Sequence, residues 1–155
     1  MHVRPAVLTD VPACVGLIEA KRRQYAVWEP RFWRKAAFSS PLTAAWFARL
    51  FSQRDAVALV AEDPSGVIGF IIGMKYPAPP VYDPGGANAL IDDFAVKDDR
   101  WQDIGSALLM ACRAELRKRG YAQIVVVAAE KDASKNAFLR RAELSLASVW
   151  WTGPA

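Results

Sequence analysis

Ile91-Asp92-Asp93-Phe94-Ala95-Val96-Lys97-Asp98-Asp99-Arg100-Trp101-Gln102-Asp103-Ile104-Gly105-Ser106-Ala107-Leu108 changes period halfway along. The first part is an apolar β-type run that closes at Val96, and residues 97–99 are turn formers. From Ile104 the apolar positions recur at Leu108, at Ala111 or Cys112, and at Leu116, the spacing of one helical face. A strand therefore feeds a turn, and the turn opens a helix near Gln102 to Ile104. The first amides of a helix have no partner within it, and the aligned peptide dipoles leave partial positive charge there, so a phosphate group would dock on them.

Around this stretch the pattern is that of a chain alternating between periods. Residues 3–8 read as a short strand. Thr9-Asp10 and Pro12 then open a helix running to about Tyr25, and Ser40-Pro41 opens a second through about Ser52. Residues 56–61 and 67–74 are apolar runs separated by the turn formers of 62–66, a hairpin. Residues 76–86, with four prolines and a Gly-Gly pair, are loop, and 89–96 is the next strand. After the helix behind the quoted stretch, Gly120 takes the C′ position, and 124–129 is a β-branched run of the kind covered on both faces. Residues 133–143 form a last helix, and 144–151 a strand that closes the sheet. The expectation is one α/β domain over 1–155, a central mixed sheet flanked by about four helices.

Composition narrows the function. The chain has 155 residues, 53% hydrophobic and 23% charged, enough for one sizeable core. It contains no apolar run long enough to span a bilayer, and the first residues lack the apolar region of a secretory signal, so a cytoplasmic protein without membrane association is expected. Cys14 and Cys112 lie in apolar helical patterns without metal-type neighbours, which predicts free buried thiols and no metal. The single histidine, His2, argues against a Ser-His-Asp triad. The net charge of +4 comes from scattered basic residues, several near helix C-termini, where the dipole favours them; nucleic-acid binding is not expected.

The quoted stretch resembles the acetyl-CoA signature of the GNAT superfamily of N-acetyltransferases, Q/R-x-x-G-x-G/A after a strand of the form I-E-D-x-x-V. Arg100 and Gly105 fit it, and Asp103 stands in place of the first glycine. Val3-Arg4-Pro5-Ala6 with Asp10-Val11 resembles the family's opening, and Asn136-Ala137-Phe138-Leu139-Arg140-Arg141-Ala142-Glu143-Leu144 its closing N-A-F-Y-E-R-L-G-F. The resemblance spans nearly the whole chain, and it implies acetyl transfer from acetyl-CoA, the cosubstrate, to a primary amine.

By that likeness the backbone of Phe94 and Val96, with Ala95 between them, would hold the pantetheine arm. Amides of Trp101, Gln102, Asp103, Ile104, Gly105 and Ser106 would wrap the pyrophosphate, with Arg100 adding charge. Asn136 matches an asparagine that touches the cofactor arm. Asp103 either joins that site or simply caps its own helix. Asp92 matches the acid that takes a proton from the amine in diamine acetyltransferases, and strand alternation sends Asp92 and Asp93 to opposite faces. The family's proton-donating tyrosine is Leu139 here, which donates nothing. Either another group acts, with Tyr76, Tyr82 and Ser134 as substitutes beside water, or the chain is a non-catalytic acyl-CoA sensor or partner-binding module. Trp28 and Trp33, in an aromatic-rich segment, would meet a cationic amine through their ring faces or else pack against the sheet. Trp150-Trp151 would pack a homodimer. The acceptor stays open among small amines, antibiotics and protein amines, and a strongly polycationic one is not favoured.

Overall fold

The computed structural model describes residues 1–155. In chain order the elements are β1 (His2–Pro5), α1 (Val11–Trp28), α2 (Ser39–Phe51), β2 (Val57–Asp63), β3 (Gly66–Lys75), β4 (Ala87–Ile91), β5 (Phe94–Val96), α3 (Ser106–Lys118), β6 (Tyr121–Val126) and α4 (Ala133–Arg141). The strands form a 6-stranded sheet in the order β1, β2, β3, β4, β6, with β5 also on β3. All pairings are antiparallel except β4 with β6, which is parallel.

Alternation along the strands splits the interior into two layers. Ile71, Ile91, Phe94 and Val96 face α3 and α4, where they meet Ile104, Leu108, Cys112 and Phe138. Phe70, Ile72 and Ala95 face α1 and α2, where they meet Cys14, Ile18, Phe47 and Leu50. Gly69 on β3 makes the first layer possible, because a Cβ there would stand 2.7 Å from Cγ2 of Ile104. Both cysteines are buried and unpaired, and burial pushes each thiol up to about 12. No helix is long and apolar enough to cross a membrane.

The strand expected over 89–96 is interrupted at Asp92 and Asp93. β4 keeps β6 as a neighbour until Ile91 pairs with Val126, and the Val127 amide donates to the Ile91 carbonyl at 3.0 Å. Beyond that point β5 pairs with β3 alone, so the sheet forks between β5 and the segment after β6.

Three further expectations are corrected. β6 is not covered on both faces: Ala122, Gln123 and Val125 are exposed, because the β-branched run reports strand propensity and not the number of neighbouring layers. Residues 144–151 form no strand. The chain leaves α4 through a left-handed Glu143, Leu144 donates back to the Leu139 carbonyl, and Leu146, Val149, Trp150 and Trp151 stand exposed with no ladder partner. Consecutive Val149, Trp150 and Trp151 cannot share one face of a strand, so the segment lacks the alternation that burial of one face rewards. The helix after the turn starts with a π-helical turn, Trp101–Gly105, and becomes α-helical at Ser106.

Candidate functional site

The fork is where the chain turns polar backbone toward open structure. The Asp93 carbonyl accepts from the Ile72 amide at 2.9 Å, so Asp93 and Ala95 address β3 and the intervening Phe94 and Val96 address the fork. Across the gap lie the 127–132 loop and the start of α4, and above it lies the Trp101–Gly105 turn.

The residues expected to hold a cofactor are brought together here, and several of them are engaged by the protein itself. The Phe94 carbonyl accepts from the Lys135 ammonium at 3.2 Å. Lys135 is 2% exposed and sits over the rings of Phe94 and Trp101 at 5.5 and 5.4 Å. Burial pulls its pKa down to about 8, against the attraction of Asp132, Asp92 and Asp93. Trp101 is buried, edge-on to Phe94 at 5.0 Å and stacked on Phe138 at 5.6 Å. A Cβ at Gly105 would come 3.0 Å from Cε3 of Trp101, so the missing side chain at Gly105 accommodates the indole.

In the turn the Trp101, Gln102 and Asp103 amides donate to no backbone or side-chain acceptor of another residue, while the amides that follow are paired. Ile104 and Gly105 donate their amides to the Arg100 carbonyl, and the Ser106 amide bonds to Trp101. Arg100 forms an ion pair with Asp103, whose carboxyl is held below the usual range by that guanidinium first and by the Ile104 and Asp103 amides after it. The Gln102 side-chain oxygen Oε1 accepts from Arg141 at 3.0 Å, tying the turn to the end of α4. The Asn136 side-chain amide donates to the carbonyls of Ala129 and Glu130 at 2.8 and 3.0 Å.

A second set of contacts runs across the mouth of the fork. Lys21 of α1, 6% exposed, pairs with Asp99 at 2.9 Å and with Asp132 at 3.2 Å, joining the turn after β5 to the cap of α4. Tyr25 donates to the same Asp132 at 3.2 Å, and burial drives its phenol pKa upward. Asp132 also accepts from the Lys135 amide, as an N-cap, and from the Ser134 hydroxyl at 3.1 Å.

Of the remaining candidates, Asp92 is exposed at the break between β4 and β5, while Asp93 is buried against Arg22 at 3.1 Å. Burial pushes Asp93 up to about 6, with Arg22 opposing and Asp92 adding to the rise. Tyr76 and Tyr82 are exposed. Trp28 and Trp33 both pack on Tyr25, at 5.7 and 5.1 Å. Lys21, Asp132 and Lys135 were absent from the sequence candidates. A signal for the two lysines existed: Lys21 follows Cys14 and Ile18 on the buried stripe of its helix, and Lys135 lies three and four residues before Phe138 and Leu139 on the buried stripe of α4.

A mixed sheet that forks above a helix-opening turn defines a class of acyl-CoA-binding folds. The chain belongs to the Acetyltransferase (GNAT) family, whose profile matches residues 21–142. Solved structures with the same fold include a tetramutant of the BH1408 protein from Bacillus halodurans, 14% identical with each chain covered over 100% and a TM-score of 0.83. A transcriptional regulator from the same organism is 15% identical over 99% of each chain, with a TM-score of 0.73. A predicted acetyltransferase with acetyl-CoA from Clostridium acetobutylicum is 16% identical over 99% of this chain and 95% of its own, with a TM-score of 0.71. No curated protein matches the sequence.

Acetyl-CoA is the usual cosubstrate of this family. The fork would offer it the open edge of β5 at Phe94 and Val96 for the arm and the Trp101, Gln102 and Asp103 amides for the diphosphate. On the arm's side the Phe94 carbonyl already accepts from Lys135, and Arg100 is already paired with Asp103. In this conformation the arm's place on β5 does not fit the cofactor, because Lys135 takes the Phe94 carbonyl.

Proposed function

We propose that this chain is a GNAT domain that works without acetyl-CoA turnover, as a partner-binding module in the cytoplasm. The observation that carries the reading is the Lys135 ammonium inside the fork, bonded to the backbone carbonyl that a pantetheine amide would need. The replacement of the family's tyrosine by Leu139 supports it, since nothing at that position can protonate a thiolate. A shared fold is no warrant for shared chemistry, and a transcriptional regulator has this one. The exposed Trp150 and Trp151, with Phe32 edge-on to Trp150 at 6.1 Å, offer an aromatic surface for a partner, a second copy of the chain being the first candidate. A monomer by light scattering removes that candidate. Nucleic acid and metal ions have no part in this reading.

The second reading is N-acetyl transfer from acetyl-CoA to a primary amine, with Asp92 as base, and the fork beyond Ile91 favours it. It requires Lys135, Arg100 and Asp103 to change partners when the cofactor arrives. Calorimetric titration with acetyl-CoA at millimolar ligand, beside a thiol-release assay over a panel of amines, separates the two. No heat and no thiol is the expected result. Released thiol overturns the module reading.

A further inference from the structure

We infer that Lys135 and Lys21 form a lock built into the fork, and that Lys135 is the residue that denies the cleft to coenzyme A. The inference rests on the reading that the resting cleft is closed.

The two lysines act on different walls. Lys135 rises from α4 and ends on the Phe94 carbonyl, so its ammonium takes the acceptor on β5 and its stem fills the width between α4 and that strand. Lys21 comes from α1 on the other side and bridges Asp99 on the turn to Asp132 at the cap of α4, so it holds the two lips at a fixed separation. Both ammoniums lie over the Trp101 ring, Lys21 at 5.6 Å and Lys135 at 5.4 Å, which keeps the indole between the lips. Lys21 is paired with Asp99 and Asp132, whereas Lys135 has no carboxylate within 4.0 Å and bonds the Phe94 carbonyl.

A lysine is an expensive way to fill a cleft. A buried ammonium costs several kcal/mol of lost hydration unless it is paired, whereas an apolar side chain of the same length has no such cost. What the ammonium adds is a directed bond to the carbonyl of β5. That bond substitutes for the donor of an incoming arm, and the apolar side chain would leave the carbonyl free.

The test uses coenzyme A itself as the probe, on the full chain. Lys135→Ala removes both the donor and the stem, and Lys135→Ala combined with Lys21→Met also frees the lips. Wild type is expected to give no saturable heat at about 1 mM coenzyme A, and Lys135→Ala to bind with a dissociation constant of about 0.1 mM or tighter, with the double variant at least threefold tighter again. Silence from both variants, with wild-type circular dichroism, overturns the lock and leaves the closed-cleft reading standing. Binding by wild type as tight as by Lys135→Ala overturns both. A measurement on wild type alone guards against misfolding of the variants: an amine-reactive ester, read by mass spectrometry, should modify the exposed Lys97 and Lys118 and spare Lys21 and Lys135. Labelling of Lys135 as fast as Lys118 overturns the lock.

Discussion

Replacing Lys135 by methionine changes how stability depends on pH in a way only a buried ammonium produces. Burial is the largest influence on Lys135 and brings its pKa from 10.5 to about 8, a fall that corresponds to about 3 kcal/mol. The folded chain therefore releases this proton near pH 8, and the unfolded chain keeps it until about pH 10.5. Between those values the unfolded chain binds more protons, so wild-type stability gains from rising pH. Below pH 8 the ammonium is charged in both states and its full cost is present. Above pH 10.5 it is neutral in both and the cost is gone.

The variant has no such proton. Methionine keeps the length and packing of the stem but leaves the buried Phe94 carbonyl without its donor, a loss of about 2 kcal/mol. Relief of about 3 kcal/mol against that loss makes Lys135→Met more stable than wild type by about 1 kcal/mol at pH 7. At pH 10.5 the wild-type amine still serves the carbonyl at no charge cost, so the variant is less stable by about 2 kcal/mol. Urea unfolding at intervals between pH 7 and 10.5 reads the crossover directly from midpoints and slopes. A difference between the two proteins that stays constant across this window refutes the reasoning.

Trp101→Ala should lose about 3–5 kcal/mol by chemical denaturation, because it empties the space between Phe94, Phe138 and Gly105; a loss below about 1 kcal/mol would mean that the indole is not the filler described. Gly69→Ala should cost about 1–3 kcal/mol, since its methyl meets Ile104 at 2.7 Å and Leu108 at 3.1 Å in the interior; thermal unfolding at wild-type Tm would contradict that contact. Asp93→Asn tests the second buried charge. Asp93 takes its proton near pH 6 when folded and at about 3.8 when unfolded, so the folded chain binds more protons in between and Asp93 weakens stability as pH rises through that window. The Tm of Asp93→Asn relative to wild type should therefore climb from pH 4 to pH 6, and parallel curves would exclude the assignment.

The fold was legible in the sequence where a pattern reports its own surroundings. The change of period after Val96, the hairpin punctuated by residues 62–66 and the stripe of α3 all appear where expected. The break at Asp92 and Asp93 was not legible, because the residues on either side remain β-formers and the break consists in the loss of one neighbour, β6, and not in a change of local preference. Residues 144–151 failed for the related reason that a strand needs an edge to join. At the site, the placement of Asp92 and Asp93 on different sides followed from the letters, and the fork did not. Neither did the occupants. Tyr25 and Asp132 are 107 residues apart in sequence, and Lys21 meets Asp99 across 78, distances over which side-chain pairing leaves no periodic trace. The charged residues on the buried stripes of α1 and α4 were the available clue. A lysine on an apolar stripe reads as a tolerated surface residue until the opposite wall is known.

The turn after β5 constrains which sequences can drift there. Asp98 and Asp99 are consecutive left-handed residues, at φ 53° and 52°, a backbone that asparagine and glycine adopt more readily than most side chains. Asp98 makes no hydrogen bond or ion pair through its side chain, so asparagine or glycine can replace it with a gain in backbone ease. Asp99 holds Lys21 and accepts from the Trp101 indole at 3.3 Å. Glycine there would suit the main chain and lose both contacts, and asparagine would keep an acceptor and lose the charge. Of two adjacent aspartates with the same conformation, one is free to vary and the other is fixed by a residue 78 positions earlier in the chain.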